Sequence, residues 1–419
     1  MKLGLKDNKC LKWFYPLFFV VCYMQARGLL PWKLPGEGII IWPFRLFVIY
    51  IGLKALLANN NKCPSLLYYL VYSLASIILL ISYGLPLSIY FMTLPFYVSP
   101  ILMAYVGMDA RDLSSNFYKY TYRSIIVMLV VGVYLYAVKP GWYQAAMVNR
   151  WESNWFYEGL TIDFATLAET MRFSSFMLTS YATQYFGLFA MAYSLTELLK
   201  SKTSKEGHLY SLLSVFVFVI LILSMQRASI VSATAMIFLF VLYDIRYHRH
   251  KKTKMLQILF GVGILVFFTY MAATGLGTMI IDRLSSVGNA YSERSGMTTN
   301  MLEGFSSMIF GTGIGTGGVR AARAGLKAVS DANYTKILVE QGIVGCVLFF
   351  SFIIQTCHRI VKYFKYYALE GAFLLSILIA MIGSNTLDFS LYIIPFWYAM
   401  GRVWNKEYLQ KQIINKDHI

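Results

Sequence analysis

Charge is what this chain has least of. Only 14% of its 419 residues are charged, and only 20 are acidic. A soluble domain carries about a quarter charged residues, so this chain lacks the polar surface that keeps a protein in water. Metal and redox signatures are missing as well. The five cysteines are Cys10, Cys22, Cys63, Cys346 and Cys357, and no two form a C-x-x-C pair. That gives a metal cage or a disulfide framework no support. Histidine is equally sparse: His208, His248, His250 and His358 fall in or beside expected cytoplasmic loops, and His418 is in the tail. No glycine-rich run ends in G-K-[ST] or follows a strand in a βαβ unit, which excludes a P-loop and a dinucleotide fingerprint.

What is present is apolar: 58% of the residues are aliphatic or aromatic. Runs of about 20 such residues are what a bilayer core demands, because only helices or closed barrels satisfy the backbone there. Twelve runs of this kind are expected, near 13–30, 37–58, 65–83, 86–107, 122–139, 174–198, 208–224, 228–246, 254–273, 336–357, 369–384 and 386–404. The fold class is therefore all-α, a single polytopic membrane domain over residues 1–419. The run 13–30 is read as a retained span, since it is bulky, aromatic and without a small-x-small cleavage site.

The net charge of +17 is distributed like a topology signal. Lys2, Lys6, Lys9 and Lys12, then Arg111, Lys119 and Arg123, then Arg246, Arg249, Lys251, Lys252 and Lys254 lie in alternate short segments. Arg359, Lys362, Lys365 and the basic tail continue the series. Clustering on one side of successive spans marks the cytoplasmic face and argues against nucleic-acid binding. With an even span count both termini are cytoplasmic.

Two long outer segments remain, 139–174 and 274–335. Loops of this length are usually functional. The first holds Trp142, Trp151, Trp155 and Tyr157, and is expected to fold against the membrane face.

The outer basic residues run against the charge rule and carry the candidate chemistry. Arg227 sits in a turn between two spans, where it either snorkels or clamps a phosphate. Arg45 lies about eight residues inside its span, roughly 12 Å deep at the helical rise. Arg172 closes the first long segment. Arg283 and Arg294 each neighbour a carboxylate, so a surface ion pair is the alternative to phosphate binding. Several guanidinium groups near one surface make a cradle for a diphosphate, because each binds phosphate oxygens bidentately.

The run Gly311-Thr312-Gly313-Ile314-Gly315-Thr316-Gly317-Gly318 reads either as a surface turn or as a nest of amides for an anion. Arg320, Arg323 and Lys327 follow at helical spacing. Asp331-Ala332-Asn333-Tyr334 comes next. Asp331 is either a general base toward a sugar hydroxyl or a cap on the following span.

The order of these elements resembles the O-antigen polymerase and ligase superfamily. The resemblance rests on Arg172 with Ser174, Ser224-x-x-Arg227 opening a span, and Ser292-x-Arg294 ahead of the Gly311–Gly317 turn. It closes on Asp331-x-Asn333-Tyr334 and Leu338-x-Glu340-x-Gly342-x-x-Gly345, covering about residues 170–350. Ligases of this superfamily often carry His-Asn in the closing segment. Here Asp331 stands at the matching place and Asn333 falls one residue later than in the commoner pattern, which favours a Wzy-type polymerase.

The resemblance implies transfer of a growing glycan from undecaprenyl diphosphate to a hydroxyl of the next lipid-linked oligosaccharide, at the outer face of the bacterial plasma membrane. It implies neither metal nor cofactor. Asp331, Arg227 and Arg294 would be catalytic. Arg172, Arg283, Arg320, Arg323, Asn333, Tyr334 and Arg45 would hold the diphosphate or glycan. Membrane lipid and a chain-length regulator protein are the implied partners. An O-antigen ligase and a lipid-linked oligosaccharide flippase stay open as alternatives.

Overall fold

The structure, a computed structural model, describes residues 37–58, 63–109, 116–144, 173, 180–201, 203–224, 226–247, 305–317, 333–383 and 392–417, with isolated positions at 258, 261, 265 and 269. Every regular element among the described residues is a helix. In chain order these are α1 (Glu37–Ala58), α2 (Pro64–Ala75), α3 (Ile77–Ser82), α4 (Leu87–Met108), α5 (Asn116–Val138), α6 (Ser180–Lys200) and α7 (Ser204–Leu223). Then come α8 (Arg227–Tyr247), α9 (Phe305–Phe310), α10 (Asn333–Lys362), α11 (Ala368–Gly383), α12 (Ile394–Val403) and α13 (Lys406–Asp417).

Among the described residues, six segments are long and apolar enough to cross a membrane: Pro64–Ser82, Leu87–Met108, Asn116–Val138, Ser204–Leu223, Ala228–Arg246 and Asn333–Lys362. The chain is thus a helical, membrane-embedded protein. Ala368–Ile382 is a shorter apolar helix. The expected span 13–30 lies outside the described residues, as does nearly all of 254–273. The expected span 386–404 is represented by the 10-residue α12. The polar helix α13 has no counterpart among the expected spans.

The chain divides into two compact units. The first comprises Met1–Phe47 and Ser114–Thr269. Its centre is α6, which packs against α5, α7 and α8. Small side chains explain the centrality, since lipid offers helices no hydrophobic drive to associate and close backbone approach must supply it. A Cβ on Gly187 would stand 2.6 Å from a Leu221 methyl. Tyr122 of α5 stacks on Tyr193 of α6 at 4.4 Å between centroids and lies 2.9 Å from the Ser194 hydroxyl. α5 stops at Lys139, whose φ of +46° turns the chain into Pro140.

The second unit comprises Val48–Leu113 and Tyr270–Ile419. Here α4 and α12 meet almost backbone to backbone. A Cβ on Gly401 would overlap the Ala104 carbonyl, and one on Gly107 would overlap the Tyr398 carbonyl. α10 packs against α2, α9, α11 and α12. α2 and α3 form one interrupted span, broken at Ser76, whose side chain bonds the Ser73 carbonyl at 2.8 Å.

Of the two long segments expected to face outward, 139–174 is described only at 139–144 and 173. Phe173 is buried and donates its amide to the Leu223 carbonyl at 2.9 Å. From 274–335 the described parts are α9, the turn after it and the start of α10.

Candidate functional site

The polar centre of the second unit is a broken helix. α10 runs from Asn333 to Lys362, but Gly342 has φ +62° and ψ −167°, far from helical values. Only glycine tolerates this φ without a Cβ penalty. A break leaves the carbonyls just before it without their usual partners one turn on, and in an apolar medium those carbonyls must find others.

They find them in the glycine-rich turn and in α2. The Val339 carbonyl accepts the Thr312 amide at 2.9 Å and the Thr312 hydroxyl at 3.1 Å. The Glu340 carbonyl accepts the Gly313 amide at 2.8 Å. Tyr72 shares its hydroxyl proton between the Gln341 carbonyl at 3.0 Å and the Phe310 carbonyl at 2.7 Å. The Gln341 side chain in turn donates to Ser73 at 3.2 Å. A Cβ on Gly342 would overlap the Ile309 carbonyl, so the break also admits the end of α9.

The turn that fills the break is buried. Gly311, Gly313 and Gly315 have φ of +80°, +102° and +93°. Ile314 is fully buried in an apolar cluster with Leu80, Ile89, Tyr90 and Tyr97. The Ile314 amide lies 3.4 Å from the Ser76 hydroxyl, and the Thr316 hydroxyl bonds the Gly313 carbonyl at 2.7 Å. The turn is therefore neither an exposed loop nor an open cradle for a phosphate. The anion it holds is internal: the Gly317 amide donates to Glu340 Oε1 at 3.1 Å.

Glu340 is the charged centre. It is wholly buried. Its Oε1 lies 3.6 Å from Lys336 Nζ, one helical turn earlier and also buried. The Tyr97 hydroxyl donates to Oε2 in a short hydrogen bond, and the Lys336 ammonium sits over the Tyr97 ring at 5.5 Å. A carboxylate in an apolar interior is tolerated only with an opposite charge and further donors around it. Glu340 has a cation, a phenol and a backbone amide.

The expected site residues divide between the units. Asn333 and Tyr334 open α10. Asn333 is buried. Tyr334 donates its hydroxyl to the Leu378 carbonyl at 2.7 Å and stacks on Phe350, which ties α10 to α11. Asp331, Arg283, Arg294, Arg320 and Arg323 belong to the same stretch of chain but lie outside the described residues, as does Arg172 in the first unit. Arg227 is the first residue of α8. Arg45 is buried, nine residues into α1.

Lys336, Glu340 and Tyr97 had no assigned role from sequence. The first two carried a legible signal, opposite charges four residues apart inside an apolar run. Tyr97 carried none, because nothing local links it to a residue so distant in the chain.

Cys63 is a free, buried thiol at the start of α2. Burial pushes it up from the ordinary thiol range, and the hydrogen bond with Ser65 at 3.2 Å opposes that only in part. Among the described residues no group of three or more His, Cys, Asp and Glu is placed to hold a metal ion.

No protein-family model matches the chain. No curated protein matches it either, so its own residues carry the functional reading.

Proposed function

We propose that this chain is a membrane glycosyltransferase that polymerises oligosaccharide repeat units carried on undecaprenyl diphosphate. It would act at the outer face of a bacterial plasma membrane, with about twelve spans and both termini in the cytoplasm. One observation carries this reading beyond resemblance. The glycine-rich turn at 311–317 and the Leu338–Gly345 segment, two separate elements of the resemblance, are hydrogen-bonded to each other around the Glu340 carboxylate. Elements that act together in one site are expected to meet in this way.

In the proposed reaction the acceptor hydroxyl oxygen attacks the anomeric carbon of the donor glycan. The bond from that carbon to the diphosphate oxygen breaks, and the diphosphate leaves with the electron pair. By the resemblance, Arg227 and Arg294 are assigned to stabilise the charge that develops on it, and Arg172, Arg283, Arg320 and Arg323 to bind the diphosphate or glycan. Asp331 takes the acceptor proton. Glu340 is buried and already engages Lys336, Tyr97 and the Gly317 amide, so its role is to hold the turn rather than to react.

A second reading is a carrier that moves a lipid-linked oligosaccharide across the membrane. The observation in its favour is the break at Gly342 beside a buried ion pair, since carriers bind substrate at discontinuous helices.

Deletion of the gene and profiling of surface glycan length separates the readings. Loss of a polymerase leaves single repeat units on the cell. Loss of a ligase leaves unattached lipid-linked polymer, and loss of a flippase traps units inside. Long polymer that persists with Arg227→Ala or Arg294→Ala, at normal expression, sinks the polymerase reading.

A further inference from the structure

The first unit holds buried polar groups that have no hydrogen-bond partner among the described residues. Gln184, on α6, is completely buried, and neither its amide nitrogen nor its amide oxygen has a hydrogen-bond partner among the described residues. Ser229, on α8, is also completely buried, and its hydroxyl has no hydrogen-bond partner among the described residues. Such groups are costly, because a buried polar atom left unpaired gives up its hydrogen bonds to water and regains none. A leucine or methionine would fill the space without that cost.

The two residues belong to one end of the unit. α6 joins α7 through residues 201–203, and α7 joins α8 through residues 224–226. Helices joined so tightly run antiparallel, so the start of α6, the end of α7 and the start of α8 share a level. Contact between Gly187 and Leu221 fixes the register. Three residues earlier on α6 is Gln184, and three residues later on α7 is Ser224, which is buried. Ser229 is the third residue of α8, and α8 packs against α6. Phe173 docks on Leu223 at the same end. The charge pattern assigns this end to the outer face.

We infer that Gln184 and Ser229 form a subsite that hydrogen-bonds the neutral hydroxyl or acetamido groups of a saccharide. The chemistry of the donors selects that class. A carboxamide offers a donor and an acceptor side by side, and a serine hydroxyl is both. These are complements for neutral groups of mixed character, whereas a diphosphate offers only acceptors and calls for guanidinium. A polyprenyl chain offers nothing for either residue to bond. The inference rests on the glycan reading given under the proposed function, and it assigns sugar recognition to residues distinct from the arginines.

The test compares two ligands on the full-length protein in detergent: undecaprenyl diphosphate alone, and the oligosaccharide-bearing lipid diphosphate extracted from the host. The wild type is expected to prefer the oligosaccharide-bearing lipid. Gln184→Met keeps the volume and removes the amide. It is expected to weaken binding of that lipid about tenfold and leave the bare lipid unchanged. Ser229→Ala is expected to act in the same direction and decides the matter if Gln184→Met does not fold. Variants that melt at a higher temperature while both affinities stay the same would overturn the subsite, because the groups would then be merely unsatisfied. A wild type that binds the two lipids equally overturns it whatever the variants do. Unaltered glycan length on gene deletion overturns the polymerase reading instead, while a saccharide preference lost in Gln184→Met would still stand.

Discussion

Gly317 donates its backbone amide to the Glu340 carboxylate at 3.1 Å, and a Cβ on Gly317 would stand 3.1 Å from the Glu340 Cγ. A turn and a broken helix are thereby joined through one buried charge. A side chain at Gly317 would press on Glu340, and the carboxylate meets the amide that the turn exposes.

Removing one member of the ion pair should cost more than removing both. Lys336→Met leaves Glu340 buried without its cation and is expected to destabilise by about 3–5 kcal/mol. The double variant Lys336→Met/Glu340→Met removes both charges and should recover part of that loss. Tyr97→Phe should cost about 1–3 kcal/mol by taking a donor from Oε2. Thermal unfolding of the detergent-solubilised protein measures all three. A double variant less stable than Lys336→Met would refute the account.

Gly342 and Gly141 should respond in opposite ways to alanine. Gly342 has φ +62°, and an added Cβ would overlap the Ile309 carbonyl. Gly342→Ala is expected to lose about 3 kcal/mol or more. Gly141 has nothing within 4 Å of an added Cβ and is helical, so Gly141→Ala should be neutral or stabilising by up to about 1 kcal/mol. Paired melting curves give the comparison.

The contact between α4 and α12 depends on the absence of side chains. Gly401→Leu places a side chain where the Ala104 carbonyl lies, so the helices must separate. Overpacking usually costs about 1–3 kcal/mol, and a clash with backbone stands at the upper end. The expected result is a protein that expresses poorly and elutes as aggregate on gel filtration. A Gly401→Leu variant that elutes and melts like the wild type would contradict the close approach.

Cys63 should resist alkylation. Its thiol is buried and pushed up from the ordinary range, and only the thiolate reacts. In the folded protein near pH 8 a maleimide should label Cys63 slowly, with labelling rising sharply on denaturation. The sign of the linkage follows. The folded state holds a proton that the unfolded chain releases, so this group's contribution to stability is present below the ordinary thiol pKa and declines as pH rises past it. Peptide mapping after timed labelling reads the result.

Much of the helical architecture was legible in order. The expected run 37–58 coincides with the helix α1, which is not among the six candidate spans, and 86–107 and 228–246 lie within a residue of α4 and α8. Apolar length is a local property, so it can be read locally. Start points were less legible. α5 begins at Asn116 rather than near residue 122, and α10 begins at Asn333 rather than 336, because polar first turns continue the helix beyond the apolar run. The break at Ser76 left no mark in hydropathy.

The candidate site was legible as a set of segments and not as an arrangement. Gly311–Gly317 and Leu338–Gly345 stood out by glycine content. Nothing in the spacing said that the amides of one would satisfy the carbonyls of the other, or that the turn would be buried. Pairing of that kind is a non-local hydrogen-bonding choice, made only when the chain is packed.

Sequence by itself determined that this chain is helical and membrane-embedded, since a chain so poor in charge and so rich in long apolar runs has few other ways to satisfy its backbone. Tertiary structure decided what the glycine-rich run is for. Its φ values were open to several uses, and the unpaired carbonyls beside Gly342, together with the Glu340 carboxylate, selected one. The amides are spent inside the protein, because a buried helix break leaves polar groups that water does not reach.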